Sequence, residues 1–264
     1  LHEHSDSTPR LAFHFSTVKL LSPDSMLAVP LGQGIMHKAP ESEWVQLDEG
    51  LPDDTHVNRL QVYGEDIYAC TNQGLFKREE NWWTPGGLGA FCYQFKQVGR
   101  VSLAGTSNGL WCKDGNEWRA LSCSGRVVYD FLYLPHFIVI GMDLGLSIYD
   151  RLAQAWMNFR LNVAVTSLIV SQGVIMGATE KGELLIGNRK GGFERYKFGS
   201  LFVFNVVNAG NESFACTDKG LYRISRFRNA PRLMAVKLGC QVTDVDSDGE
   251  SLYIATLFQG VQKI

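Results

Sequence analysis

No stretch of this sequence approaches the ~20 consecutive apolar residues that cross a bilayer as a helix. Its longest apolar run, 127–142, is broken by Asp130, Pro135 and His136. The first nine residues lack the charged-then-apolar layout of a secretory leader, and the chain opens on Leu1 rather than Met, which points to a processed product or an excised domain. An excess of charge of one sign is also absent: 25 Lys+Arg against 27 Asp+Glu leave a net −2. A polyanion is therefore not attracted over the whole surface, and nucleic acid is not expected as a partner. No Gly-rich phosphate loop and no nucleophile elbow is present. Apart from His2 and His4 at the terminus, the histidines are scattered, with no pair at ligand spacing. The six cysteines show no metal-type spacing either. No catalytic residue, cofactor or metal is assigned on these grounds. Long 3.6-residue periodicity is missing as well, so helices should be nearly absent.

What remains is ample material for a packed domain, with 45% hydrophobic and 20% charged residues. It is organised by a repeat. Cys70-Thr71-Asn72-Gln73-Gly74-Leu75 returns as Gly105-Thr106-Ser107-Asn108-Gly109-Leu110 and as Cys216-Thr217-Asp218-Lys219-Gly220-Leu221, with weaker copies elsewhere. Seven glycines, Gly34, Gly74, Gly109, Gly145, Gly182, Gly220 and Gly260, follow one another at intervals of 35 to 40 residues. Each interval has room for four short strands. An apolar run precedes the turn, the glycine serves a tight hairpin, and an aromatic (Trp44, Trp83, Trp118, Trp156 or Phe193) often opens the fourth strand. The residue before the Thr position is small in every copy: Pro30, Cys70, Gly105, Gly141, Ala178, Cys216 and Ala255. Small side chains there let neighbouring sheets approach closely.

Repeated four-stranded units must protect their edges, and a closed ring of blades does so. The expected fold is all-β: a seven-bladed β-propeller of four-stranded antiparallel blades over residues 10–264, after a tail over 1–9. The last copy stops after its third strand, so residues 10–15 are expected to supply the missing fourth strand and close the last blade.

At this point the residues resemble a known repeat. Thr71-x-x-Gly74-Leu75 with Trp83, and Thr106-x-x-Gly109-Leu110 with Trp118, are similar to the propeller repeats of two-component regulator sensor domains. The likeness spans almost the whole chain as a fold and is specific in blades 2, 3 and 6. It implies a propeller with a ligand-binding role. Family members usually carry more blades and sit outside the inner membrane, upstream of a kinase; this sequence contains neither a membrane segment nor a kinase.

The innermost strand of each copy carries an apolar anchor: Leu20, Leu60, Phe95, Phe131, Leu168, Val206 and Val245. The position before the anchor is polar in all seven: Lys19, Arg59, Gln94, Asp130, Ser167, Asn205 and Asp244. Alternation along a strand turns this row toward the channel. There it can hold a small polar ligand, or its charges can simply pair with one another across water. Asp130 and Asp244 are the carboxylates placed for acid–base work, three blades apart. Asp244-x-Asp246-x-Asp248-Gly249 matches the front of a calcium loop, but Ala255 stands where the bidentate glutamate belongs, and an Asp-Gly turn accounts for it. A second candidate surface is basic: Arg223, Arg226, Arg228 and Arg232 with Phe227, suited to an acidic partner or to solvated loops. Cys70 and Cys216 lie too far apart to bond, and free thiols favour a reducing, cytoplasmic compartment. The sensor resemblance implies an extracytoplasmic one.

The expected role is a non-enzymatic scaffold that offers loops and a polar channel mouth to a protein partner or a small polar ligand. A hydrolase or lyase acting in the channel is one alternative, and a small-ligand sensor is another.

Overall fold

The protein is described by a computed structural model over residues 17–264, except 33, 189, 228 and 229. Its strands form seven antiparallel sheets, each with neighbours in chain order; six have four strands and the last has three among the described residues. The first strands of the sheets are Thr17–Ser22, Val57–Tyr63, Cys92–Val98, Val128–Tyr133, Val165–Ser171, Val203–Ala209 and Val242–Ser247. Each contacts the first strand of the sheet before and after it, and the seventh contacts the first, so the ring closes. This is a seven-bladed β-propeller. One short 3-10 turn, Pro30–Gly32, is the only helical element among the described residues. The expected closing strand over 10–15 and the tail over 1–9 fall outside the described residues. Within them, the seam between blades 7 and 1 is held partly by Asp24, whose Oδ1 accepts from Lys263 Nζ at 2.8 Å and from Tyr253 at 3.0 Å.

The repeat has a direct physical reading. In the turn between second and third strands, the Thr71 hydroxyl donates to Gly74 O at 2.9 Å and accepts Gln73 N at 3.0 Å. Thr106 and Thr217 do the same in their own turns. The glycine is required twice over. Gly220 sits at φ 151°, and a Cβ there would lie 2.0 Å from Lys237 O on the fourth strand. Close approach of the chain, as much as turn geometry, selects glycine.

Packing is between blades rather than within them. One core cluster joins Leu27 and Val29 of blade 1 to Leu60, Ala69, Phe76 and Trp83 of blade 2; another joins Ile186 of blade 5 to Val203 and Val206 of blade 6. Each large apolar side chain fully buried this way contributes about 1.5–3 kcal/mol. Close approach explains the small residues: a Cβ on Gly141 would fall 2.7 Å from Val165 O of the next blade. The tryptophans fasten the rim. Trp83 Nε1 donates to Leu47 O of blade 1 at 2.7 Å, and Trp118 Nε1 to Gly86 O of blade 2 at 2.9 Å. Trp156 departs from this role and stands 44% exposed on the outer strand of blade 4.

Blade 1 corrects the sequence register. In blades 2 to 7 the anchor pairs with the residue nine positions on, as Leu60 does with Ala69. In blade 1, Val18 pairs with Ala28, because the strand bulges between Leu20 and Ser22 and the hairpin takes up one more residue. Val18 is fully buried, whereas Leu20 is only half-buried. The anchor is therefore Val18, the row residue before it is Thr17, and the close-packed position is Val29, not Pro30, which is exposed. Lys19 lies one pleat further along the channel, level with Gln61 and Lys96.

Candidate functional site: the central channel

The first strand of each blade is a free sheet edge, so its outward N–H and C=O groups need partners that no neighbouring strand supplies. The polar row supplies many of them from one blade to the next. Asp130 Oδ2 accepts Leu168 N of blade 5 at 2.8 Å. Ser167 Oγ accepts Val206 N of blade 6 at 3.0 Å, and Asp244 Oδ2 accepts Val18 N of blade 1 at 3.2 Å. Asn205 Nδ2 donates to Thr243 O at 3.3 Å, and Gln94 Nε2 to Asp130 Oδ1 at 2.9 Å. The row thus stitches the ring around its axis.

It also lines a cavity. Lys19, Arg59, Gln94, Asp130, Asn205 and Asp244 all border a space of about 270 Å³ on the axis; Ser167 is drawn into its stitch and does not. Two further sets of residues join them. Lys96 and Gln61 enter from two positions after the row, on the same side of the strand, as period-2 alternation allows. Tyr93, Tyr129 and Phe204 enter from the position directly before the row, which alternation would turn away. The reason is a β-bulge. In blades 2 to 7 the pairing of first and second strands skips this residue, as between Val128 and Asp130, so two successive side chains reach the cavity. The rings meet at this end: Tyr93 and Tyr129 are 5.0 Å apart by centroid at 64°, and Tyr93 also packs on Phe91 at 4.7 Å.

Charge in the cavity is uneven. Asp130 is almost fully enclosed, and its Oδ1 accepts Phe131 N at 2.7 Å in addition to Gln94. Lys96 Nζ lies 3.1 Å from Oδ1 and donates to Phe131 O; Arg59 Nη1 stands 3.6 Å from Oδ2. Burial alone raises the Asp130 carboxyl, but Lys96, Arg59 and the donors around it outweigh that and hold it below the usual carboxylate range. Burial pushes the Lys96 ammonium down, with Asp130 opposing. Across the ring, Asp244 accepts Thr17 Oγ1 at 2.6 Å and Val245 N at 3.0 Å, while Lys19 Nζ stays 3.9 Å away. Without Lys19 or Arg59, Asp130 accepts from Gln94, Phe131 N, Leu168 N and Lys96, and Asp244 from Thr17, Val18 N and Val245 N. Among the described residues the lining holds three cations (Lys19, Arg59, Lys96) and two carboxylates (Asp130, Asp244), hence one positive charge in excess.

The other sequence candidates lie apart from this cavity. Along the calcium-like stretch, Asp246 Oδ2 accepts Leu20 N at 2.9 Å and Asp248 caps Glu250 N and Ser251 N, so the three aspartates serve different partners. No group of three or more His, Cys, Asp or Glu able to hold a metal converges among the described residues. The basic surface sits on the two outer strands of blade 6. There Arg223 Nε pairs with Glu212 Oε1 at 2.8 Å and Arg232 is exposed; Arg228 falls outside the described residues, as do the side chains of Arg226 and Phe227. The end of these two strands where Phe227 pairs with Ala230 lies at the ring face opposite the bulged mouth, because Val203, Thr217 and Gly220 pair together at the mouth end. Cys70 and Cys92, of neighbouring blades, are buried in one core cluster. No helix among the described residues is long and apolar enough to cross a membrane.

No family model matches the chain, and no curated protein matches it by sequence. Solved structures do. The extracellular domain of BT4673 from B. thetaiotaomicron is similar with a TM-score of 0.73 and 14% identity, over 94% of this chain and 38% of that one. Virginiamycin B lyase from Staphylococcus aureus, in a catalytically inactive form with quinupristin, is similar with a TM-score of 0.71 and 9% identity over 96% of both chains. YCF48 bound to D1 peptide is similar with a TM-score of 0.68 and 11% identity, over 94% of this chain and 91% of that one. At these identities the likeness is one of fold. The chain spans well under half of the BT4673 domain. The extracellular domain of BT4673, a lyase and a protein bound to a peptide share this fold, so the site must carry the functional argument.

Proposed function

We propose that this chain is a non-enzymatic binding module, one propeller domain over 10–264, that receives its ligand at the bulged mouth of the central channel. The observation that carries this reading is the axial cavity of about 270 Å³ with one cation in excess and aromatic rings at its entrance. All of these side chains stand on inner strands stitched to their neighbours, which is the pre-organisation that recognition favours. The chemistry suits binding over turnover. Asp130 and Asp244 are occupied as hydrogen-bond acceptors, and no histidine among the described residues lines the cavity. A guanidinium orients and neutralises anions rather than exchanging protons. Proteins of the same fold are known with a peptide, as YCF48 with D1 peptide, and with a small molecule, as virginiamycin B lyase with quinupristin.

The test is a melting screen of small polar metabolites and of peptides against the wild-type chain, Arg59→Met and Tyr129→Ser. Compounds that stabilise the wild type should lose most of their shift in one variant or both. Shifts that persist in both variants would move the binding surface elsewhere. Turnover of a hit by wild-type protein, abolished in Asp130→Asn with folding intact, would replace this reading with the enzymatic one.

A further inference from the structure

The cavity has two unlike sides, and the order of blades around the ring sets them. At the level two residues after the polar row, blade 2 presents Gln61 and blade 3 Lys96, with Lys19 of blade 1 beside them. At the same level blades 5 and 6 present Ile169 and Val207. Nearer the mouth, Arg59 of the polar row lies on the cationic side, and Phe204, from the bulged position before the row, on the other side. The wall is therefore cationic across blades 1 to 3, whereas blades 5 and 6 carry no charge there and set Ile169, Val207 and Phe204 among the neutral polar Thr166, Asn205 and Asn208.

The cations on the cationic side are not equally engaged. Lys96 spends its donors on Asp130 and Phe131 O. Among the described residues, Arg59 and Lys19 each have one ionic partner, at 3.6 and 3.9 Å, beyond direct hydrogen-bond contact. Their side chains remain 24% and 21% exposed, toward the cavity that both line. A planar guanidinium with unused donors matches a carboxylate through two parallel hydrogen bonds.

We propose that the channel binds a small amphipathic monocarboxylic acid, its carboxylate on Arg59 and Lys19 and its short apolar body against Ile169, Val207 and Phe204. This rests on the channel-mouth reading above and names the chemical class of its ligand. One negative charge balances the single excess cation of the lining. A phosphate dianion would leave a net negative charge in an enclosed space that already holds Asp130 and Asp244. The volume lies just below the ~300–1,000 Å³ usual for small-molecule sites, so the body is short, on the scale of a branched aliphatic chain or one aromatic ring.

Isothermal titration at pH 7 in low salt tests this with 4-methylpentanoate and phenylacetate, their neutral amides, and inorganic phosphate. The acids should bind, with the amides and phosphate each at least tenfold weaker. Arg59→Met should weaken the acids at least tenfold. It should fold normally, because Asp130 keeps Gln94, Phe131 N, Leu168 N and Lys96; circular dichroism and the melting temperature verify this. Val207→Asp, which sets a carboxylate on the uncharged wall, should weaken the acids while Arg59 is intact. Amides binding as well as acids, or acids binding Arg59→Met as well as wild type, would overturn the carboxylate assignment. So would an absence of acid binding. If the acids fail while other compounds still give Arg59-dependent melting shifts, the ligand class is wrong and the channel reading stands; if no compound or peptide depends on Arg59 or Tyr129, both fall.

Discussion

Removing Asp130 should weaken the ring more than removing any other charged side chain of the channel. The carboxylate is almost fully buried and accepts Gln94 Nε2, Phe131 N and Leu168 N, with Lys96 at 3.1 Å and Arg59 at 3.6 Å. Asp130→Ala orphans three donors and leaves two cations facing each other. Breaking a buried pair in this way costs about 3–5 kcal/mol. At ~2–4 °C per kcal/mol for a chain of this size, the melting temperature should fall by roughly 6–20 °C. Asp130→Asn keeps an acceptor but loses the charge, and so separates geometry from electrostatics. The folded-state pKa of Asp130 is depressed below its ordinary 3.8. Its ionic contribution is therefore fully present above that ordinary value and is lost as pH falls through the lower, folded one. Urea unfolding of wild type and Asp130→Asn between pH 7 and pH 3 measures both effects. The stability gap should be constant down to about pH 5 and should narrow below about pH 4. Equal midpoints at pH 7, or a gap unchanged at pH 3, would refute the claim that this carboxylate is charged and holds blades 3, 4 and 5 together.

Three further outcomes follow from the same geometry. Gly220→Ala should cost at least ~2 kcal/mol more than Gly260→Ala in denaturant titrations, because the added Cβ meets Lys237 O at 2.0 Å in the first and nothing within 4 Å in the second. Trp83→Phe should lose about 1–2 kcal/mol with the hydrogen bond to Leu47 O; an unchanged urea midpoint would show that the rim does not depend on it. In native protein a thiol reagent should modify Cys112 and Cys123, which are partly accessible, well before Cys92 and Cys216, which are fully buried and whose thiols burial pushes well up. Mass spectrometry of labelled peptides reads the order, and equal rates at Cys92 and Cys112 would contradict the packing described.

Much of the architecture was legible from local rules. Thr71, Gly74 and Trp83 each answer a requirement met within one blade or at its border: a turn hydroxyl, a Cβ-free approach and a rim donor. Because those requirements recur, the residues recur, and counting glycines found all seven sheets. The polar row was legible through alternation, since Arg59, Gln94, Asp130 and Asp244 line the channel as the pleat demands. Lys96 and Gln61 obey the same alternation but occupy a position that is not polar in every blade, so no repeating signal marked them.

Tertiary structure decided the rest. Tyr93, Tyr129 and Phe204 reach the cavity only because a bulge breaks the alternation on which their exclusion rested, and a bulge is a property of pairing, not of composition. Lys19 moved one pleat because an extra residue in the first hairpin shifts a register that spacing alone had set. The dual use of Asp130 and Asp244, as stitches between blades and as walls of a cavity, exists only after closure of the ring brings distant strands within hydrogen-bonding distance. Local chemistry is written in the chain residue by residue, whereas what a charge faces across an axis depends on every blade in between.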